Sequence, residues 1–380
     1  MHIVVFCHLR WNFVLQRPQH LLQRFARRHP VVLLEEPMPT DGPARLEVAR
    51  PSPGVEVLTP HLPRGDHGFA DDQFETLSAL LRAHLREHAI QDYVAWFYTP
   101  MALPLLRDLA PRATFYDCMD ELSAFKNAPA LLCQRESELL DVADAVFTGG
   151  PSLYEAKRSR HRRVICLPSA VDAQHYARTR ALGETAQLAR ADALQGDVPR
   201  PRLGFFGVID ERLDLDLLDR VAAARPEWNV VMVGPVVKIS ADDLPRRANI
   251  RWLGQQSYAL LPQLVAGWDV CLLPFALNES TRFISPTKTL EYMAAERPIV
   301  STPVHDVVAL YGDHVRIARG APAFEQACAE ALDEDRAAAA QRNEAMLATV
   351  AKYSWDNTAQ AMLQVIDDVL ATPQRMARAA

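Results

Sequence analysis

Two doubly wound α/β domains in tandem are predicted by this sequence, and three observations predict them. Short apolar runs alternate with longer amphipathic segments, the alternation stops between Pro168 and Pro201, and it then starts again. The 380 residues also exceed what one hydrophobic core usually organises.

In the first series, His2–Phe6, Val31–Leu34, Tyr93–Phe97, Ala113–Tyr116, Ala145–Phe147 and Val164–Leu167 read as strands. Gln16–Arg28, Asp72–His88, Ala130–Val142 and Ser152–Arg160 between them carry helical spacing. Strands that are apolar throughout, separated by helices, imply a parallel sheet covered on both faces. The interruption is rich in Ala, Arg and Gln and closes on Gly196-Asp197-Val198-Pro199-Arg200-Pro201, so it reads as a connection with helical character over Arg178–Ala193.

The second series runs strand Leu203–Phe206, helix Leu213–Ala224, strands Asn229–Val233 and Ile250–Leu253, helix Tyr258–Gly267, strand Val270–Leu273, helix Thr287–Ala295 and strand Pro298–Ser301. A largely helical tail follows from Ala321 to Leu370. The expected division is residues 1–175, a linker over 176–200, a second domain over 201–350, and a helix over 351–380 returning to the first domain. Doubly wound domains bind ligands at the carboxyl ends of their strands, so a cleft between the two is the expected site.

Apolar residues make up 49% and charged residues 23%, which excludes a disordered or fibrous chain. No run approaches the ~20 apolar residues of a spanning helix, and Met1–Phe6 lacks the basic region of a secretory signal. A cytoplasmic protein is expected, with its six scattered cysteines as free thiols. The net charge of −6 argues against nucleic acid as a partner.

The most informative stretch is Ser285-Pro286-Thr287-Lys288-Thr289-Leu290-Glu291-Tyr292-Met293. Ser285 fits an N-cap and Pro286 the first helical position, which puts Lys288 third. A cation at the positive end of a helix dipole costs some ~0.3–1 kcal/mol unless an anion docks there. Glu291 lies three residues on, on the same helix face, and an acceptor-only carboxylate suits the paired hydroxyls of a ribose. Phosphate and ribose one turn apart describe a nucleotide. The competing reading is an exposed Lys–Glu surface pair.

The run Ser285–Ser301, with Pro286, Lys288, Glu291-Tyr292 and Arg297-Pro298-Ile299-Val300, resembles the nucleotide-sugar site of GT-B glycosyltransferases, especially the family 4 type and the glucuronosyltransferases of exopolysaccharide synthesis. Trp11–Leu22 and Tyr116–Ser123 are similar to two further segments of the same bacterial enzymes. The resemblance implies two Rossmann-like domains in the GT-B architecture. It also implies a metal-independent transfer of sugar from a nucleotide-sugar, UDP-linked by expectation, to a hydroxyl on a glycan, a lipid-linked or a small-molecule acceptor. Polysaccharide or glycoconjugate synthesis is the implied setting. No cofactor is implied, because the nucleotide-sugar is a substrate.

Carried over residue by residue, Lys288 would hold the diphosphate and Glu291 the ribose, with Ser285 and Thr287 beside them. Gly207 would admit backbone to the phosphates and Arg212 would add a cation; Gly234 and Gln255 would line the pocket for the base. Arg17, Gln19 and His20 would face the acceptor or the phosphates, or else pack at a helix entrance. Asp120 is the candidate base for an inverting reaction, or alternatively the N-cap of a helix. One departure concerns the sugar: Phe283 stands where retaining members carry Glu, eight residues before Glu291, and Glu279 is out of register. A nucleotide-sugar epimerase and a non-catalytic nucleotide-sugar-binding protein are the rival readings.

Other matches weigh less. His84-Leu85-Arg86-Glu87-His88 fits a zinc pattern but shows no third ligand, and no metal is expected. Asp214-Leu215-Asp216 reads as a helix start. The basic run Lys157–Arg163 reads as a solvated helix end or as a contact with anionic headgroups at the inner face of the cytoplasmic membrane.

Overall fold

The computed structural model describes residues 1–63, 68–180, 184–196 and 198–372, and divides them between two units. Unit 1 contains Met1–Ser123, Asn127–Leu167 and the chain from Trp355; unit 2 contains Pro168–Ser354 and Ala124–Lys126.

Unit 1 opens with β1 (His2–Cys7), α1 (Arg17–Phe25), β2 (Val31–Glu35), β3 (Met38–Thr40), β4 (Arg45–Ser52) and β5 (Val55–Pro63). It continues with α2 (Phe74–Glu87), β6 (Tyr93–Phe97), β7 (Thr114–Cys118), α3 (Leu132–Val142), β8 (Ala145–Thr148), α4 (Pro151–Lys157) and β9 (Val164–Cys166). The sheet order is β3-β5-β2-β1-β6-β7-β8-β9, with β4 antiparallel on β5. The β-branched runs Ile3–Val5 and Val31–Val32 are buried at the centre, as a sheet covered on both faces requires. The β4–β5 hairpin lay outside the expected series. Its first strand, Arg-Leu-Glu-Val-Ala-Arg-Pro-Ser, is largely exposed and so lacks the apolar pattern that marks a buried strand.

Unit 2 begins with α5 (Ala173–Arg180) and α6 (Glu184–Gln195), then β10 (Arg202–Phe206), α7 (Leu215–Ala224), β11 (Asn229–Val233), β12 (Ile250–Trp252), α8 (Leu261–Ala266) and β13 (Val270–Leu273). It closes with α9 (Lys288–Ala294), β14 (Ile299–Ser301), α10 (His305–Tyr311), β15 (Arg316–Ile317), α11 (Ala321–Leu332) and α12 (Arg336–Val350). The parallel order β12-β11-β10-β13-β14-β15 reverses direction between β10 and β13. Such a switch point leaves an opening beyond the carboxyl ends of the strands.

The expected linker over 176–200 is corrected. Most of its described residues belong to α5 and α6 inside unit 2, where buried Gln195 accepts from the indole of Trp268 at 2.8 Å. Residues 181–183 and 197 lie outside the described residues. The final helix, α13 (Trp355–Ala371), belongs to unit 1. Trp355 stacks on His20 at 4.8 Å, and Asp356 pairs with Arg24 and Arg27 at 3.1 and 2.7 Å. Residues 373–380 of the segment expected over 351–380 lie outside the described residues. Among the described residues, no helix is long and apolar enough to cross a membrane.

Candidate functional site

In unit 2 the ends of β10, β11 and β12 are each followed by a glycine at positive φ: Gly207 (142°), Gly234 (147°) and Gly254 (66°). Gly207 N–H donates to the Val233 carbonyl and Gly234 N–H to the Gly254 carbonyl. A Cβ on Gly234 would lie 1.8 Å from the Gly207 carbonyl oxygen, so Gly234 serves the close packing of two strand ends. Gln255 is exposed beyond that rim. On the other side of the switch point, Asp214 N–H donates to the Pro274 carbonyl and Ala276 N–H to the Arg212 carbonyl, fastening the β10–α7 loop to the segment after β13.

Lys288 comes to this rim. A Cβ on Gly207 would sit 2.0 Å from Lys288 Cε and 2.6 Å from its Nζ, so the lysine stem occupies the space a side chain would need. Its ammonium lies 5.8 Å from the centre of the Phe205 ring. The helix carrying it is oriented by an aromatic cluster. Tyr292 meets Phe206 edge-on at 5.2 Å and its hydroxyl accepts from Phe206 N–H, while Trp268 lies flat against Gly204.

Helix α9 starts at Lys288, with Thr287 as N-cap and without a side-chain cap bond. Ser285 is therefore not the N-cap, and Lys288 is first rather than third. Pro286 accepts from Thr289 N–H through its carbonyl, so the chain enters by a tighter turn than the sequence suggested. The helix has seven residues, and the charge at this place is mainly the lysine's own.

Glu291 is partly buried one turn deeper. Burial raises its pKa; Lys288 and a hydrogen bond from Tyr176 act in the opposite sense. Tyr176, fully buried on α5, was missed, because its segment read as a linker and nothing in its spacing connects it to Glu291.

Arg212 differs from the expectation of an additional cation for the donor. Its guanidinium grips both oxygens of buried Asp210, Nε to Oδ1 at 2.9 Å and Nη2 to Oδ2 at 2.6 Å, so its charge is already met. Phe283 lies under the Arg282 guanidinium at 5.0 Å, and Glu279 is 80% exposed, so Glu279 does not replace the missing carboxylate. Sequence reasoning also missed Glu211 in the β10–α7 loop. Both of its carboxylate oxygens are buried without a hydrogen bond, and Lys238 Nζ stands 3.9 Å from one of them.

In unit 1 the expected acceptor-side residues turn inward. Arg17 is 3% exposed, bonded through Nε to both oxygens of fully buried Asp117 and through Nη1 to the Leu167 carbonyl. Gln19 is buried and donates to the Trp11 and Val14 carbonyls while accepting from Gln16 N–H, which fixes the loop before α1. His20 packs on Trp355. These three build the helix entrance, the alternative the sequence left open; their polar groups are turned to the protein itself. Asp120, partly exposed just past β7, keeps the place expected for it at the carboxyl edge.

The basic run is likewise engaged. Lys157 is 2% exposed between Glu121 and Glu136, Arg160 also reaches Glu136, Arg158 pairs with Glu155, and Arg163 with Asp368. A membrane contact through these cations finds no support.

Part of the sequence is similar to known glycosyltransferases. Residues 200–334 match the family model of glycosyl transferases group 1, and this segment spans the glycine rim, Lys288 and Glu291. Over 103 residues the chain is 29% identical to a putative teichuronic acid biosynthesis glycosyltransferase, TuaH, of Bacillus subtilis (strain 168). That match spans 26% of this chain and 26% of the relative, about a quarter of its length.

The fold is shared along nearly the whole chain. Sucrose-phosphate synthase from Thermosynechococcus elongatus has a TM-score of 0.76 at 16% identity, covering 97% of this chain and 99% of its own. A UDP-forming alpha,alpha-trehalose-phosphate synthase from Burkholderia xenovorans, solved in complex with glucose-6-phosphate, has a TM-score of 0.69 at 14% identity over 96% and 99%. The chain therefore has the GT-B fold of two Rossmann-like units, and its residues 200–334 are similar to glycosyl transferases group 1.

Proposed function

We propose that this protein transfers a sugar from a nucleotide-sugar, UDP-linked, to a hydroxyl acceptor. The observation that carries the reading is Lys288 packed against the side-chain-free Gly207 at the switch point of unit 2, with Glu291 one turn deeper. An ammonium beside a glycine rim suits a diphosphate, whose oxygens need both a cation and close backbone approach. Glu291, oriented by Tyr176, accepts from the ribose hydroxyls. Catalysis rests on positioning the donor and on neutralising the leaving diphosphate as charge develops on it. Glu211, with two unsatisfied acceptor oxygens, replaces the carboxylate absent at Phe283 in meeting donor-sugar hydroxyls.

The acceptor is bound by unit 1, where Asp120 at the edge of β7 is the base if the transfer inverts. The name of the bacterial relative and the sugar-phosphate ligand of the Burkholderia structure support an acceptor that is a glycan or a sugar phosphate. A setting in polysaccharide synthesis rests on the same relative.

Lys288→Ala tests the site. Nucleotide affinity should fall and turnover drop roughly 10²–10³-fold, with an unchanged circular dichroism spectrum. A variant that binds UDP as the native protein does sinks the assignment. A thermal-shift panel of UDP-, GDP-, ADP- and dTDP-sugars should show the largest rise with a UDP-sugar. Product analysis with and without acceptor separates transfer from epimerisation.

A further inference from the structure

The sequence pair His84 and His88 lacks a third ligand only along the chain. In the fold, Glu56 of β5 comes to the last turn of α2, and one ligand atom each from Glu56, His84 and His88 lie within 4.8 Å of one another. This cluster is at the amino edge of the unit 1 sheet, since Glu56 is the second residue of its strand and β5 runs parallel to β1 and β2. Asp120 is at the opposite, carboxyl edge, so the cluster is no part of the proposed reaction.

We propose that Glu56, His84 and His88 bind one zinc ion, which clamps β5 to α2. His84 in the last turn of α2 and His88 at its C-cap bring their rings to 4.2 Å, and imidazole with carboxylate is a donor set suited to zinc. The outer groups are already in place. His88 Nδ1 donates to the His84 carbonyl at 3.0 Å, which leaves Nε2 as the nitrogen with the lone pair. Arg50 holds Glu56 Oε1 at 2.5 Å, freeing Oε2 for a single-oxygen bond. His84 Nε2 meets that same Oε2 at 2.7 Å. Zinc takes the place of the hydrogen shared there, and His84 then carries its single ring proton on Nδ1.

Tetrahedral zinc with bonds of about 2.0–2.1 Å separates its ligand atoms by about 3.4 Å. The His84–Glu56 pair opens slightly to reach that spacing. His88, exposed at the surface, supplies the remaining movement by rotation of its side chain. Glu87, the acid within the sequence pattern, is exposed and is not a ligand. Three protein ligands leave the fourth position to water.

The test is titration of the metal-free full-length protein with zinc against a chromophoric chelator, beside His88→Ala, His88→Gln and Glu56→Gln. One zinc per chain should bind with micromolar or tighter affinity and raise the melting temperature, and each variant should weaken binding at least tenfold. Cobalt in place of zinc should give the visible bands of a four-coordinate ion, lost in His88→Gln. Because His88 is exposed, its variants should keep the native circular dichroism spectrum. Binding no tighter in the native protein than in both His88 variants, or no saturable binding at all, overturns the proposal.

Discussion

At the scale of single residues, Gly207 and Glu36 carry the sharpest consequences. Gly207 has a φ of 142° and Lys288 Cε in the place of its missing Cβ, so Gly207→Ala strains the backbone and displaces the lysine together. Its effect on UDP-sugar turnover should approach that of Lys288→Ala, and kinetics on the two variants side by side check this. A Gly207→Ala enzyme with native kcat/KM would show that the lysine need not lie where it does.

Glu36 is pushed up to about 7 by burial, with Arg10 acting in the opposite sense. A raised carboxyl pKa means that folding favours the protonated form. The stability it contributes is complete below about 4.5 and is lost as pH rises through about 7. Urea unfolding at pH 5 and pH 8 should show Glu36→Gln losing less stability over that interval than the native protein, by on the order of 2 kcal/mol. Parallel pH profiles would place the titration elsewhere.

Among the elements, α6 shows what the residue pattern concealed. Its composition reads as linker, yet Gln195 at its end is 3% exposed and holds the Trp268 indole, while its amide contacts the Leu264 carbonyl at 3.2 Å. Gln195→Ala leaves a buried indole N–H without an acceptor, at a cost of about 1–3 kcal/mol. Chemical denaturation monitored by tryptophan fluorescence should report that loss; an unchanged midpoint would mean water replaces the glutamine. In α9, Ser285 and Pro286 carry helix-start chemistry, but Thr287 is the first residue to enter helical geometry and Lys288 follows it directly. N-cap preference is worth about 1 kcal/mol, which packing of Tyr292, Met293 and Leu290 into the unit 2 core outweighs.

For the whole molecule, the last helix decides the make-up of unit 1. The chain leaves after β9, completes unit 2 and comes back as α13, whose Trp355 is buried against His20 of α1. Trp355→Ala should destabilise unit 1 by about 3–5 kcal/mol, since a large buried ring is removed and the site collapses only in part. Calorimetry should show the unit 1 transition moving down. If both transitions stay in place, α13 is not part of the unit 1 core.

The chain by itself determined the two alternating series, the strands buried on both faces, and a helix start that carries Lys288 with Glu291 three residues on. These follow from periodicity and from charge placed against a local rule, both of which act over a few residues. Tertiary structure alone decided the roles of Arg17, Arg212 and Lys157, whose charges are met by Asp117, Asp210, and Glu121 with Glu136. It alone joined Tyr176 to Glu291, and Glu56 to His84 across 28 residues. A side chain's neighbours in space depend on how strands and helices stack. No periodicity records which distant carboxylate folding will bring to a given cation or imidazole.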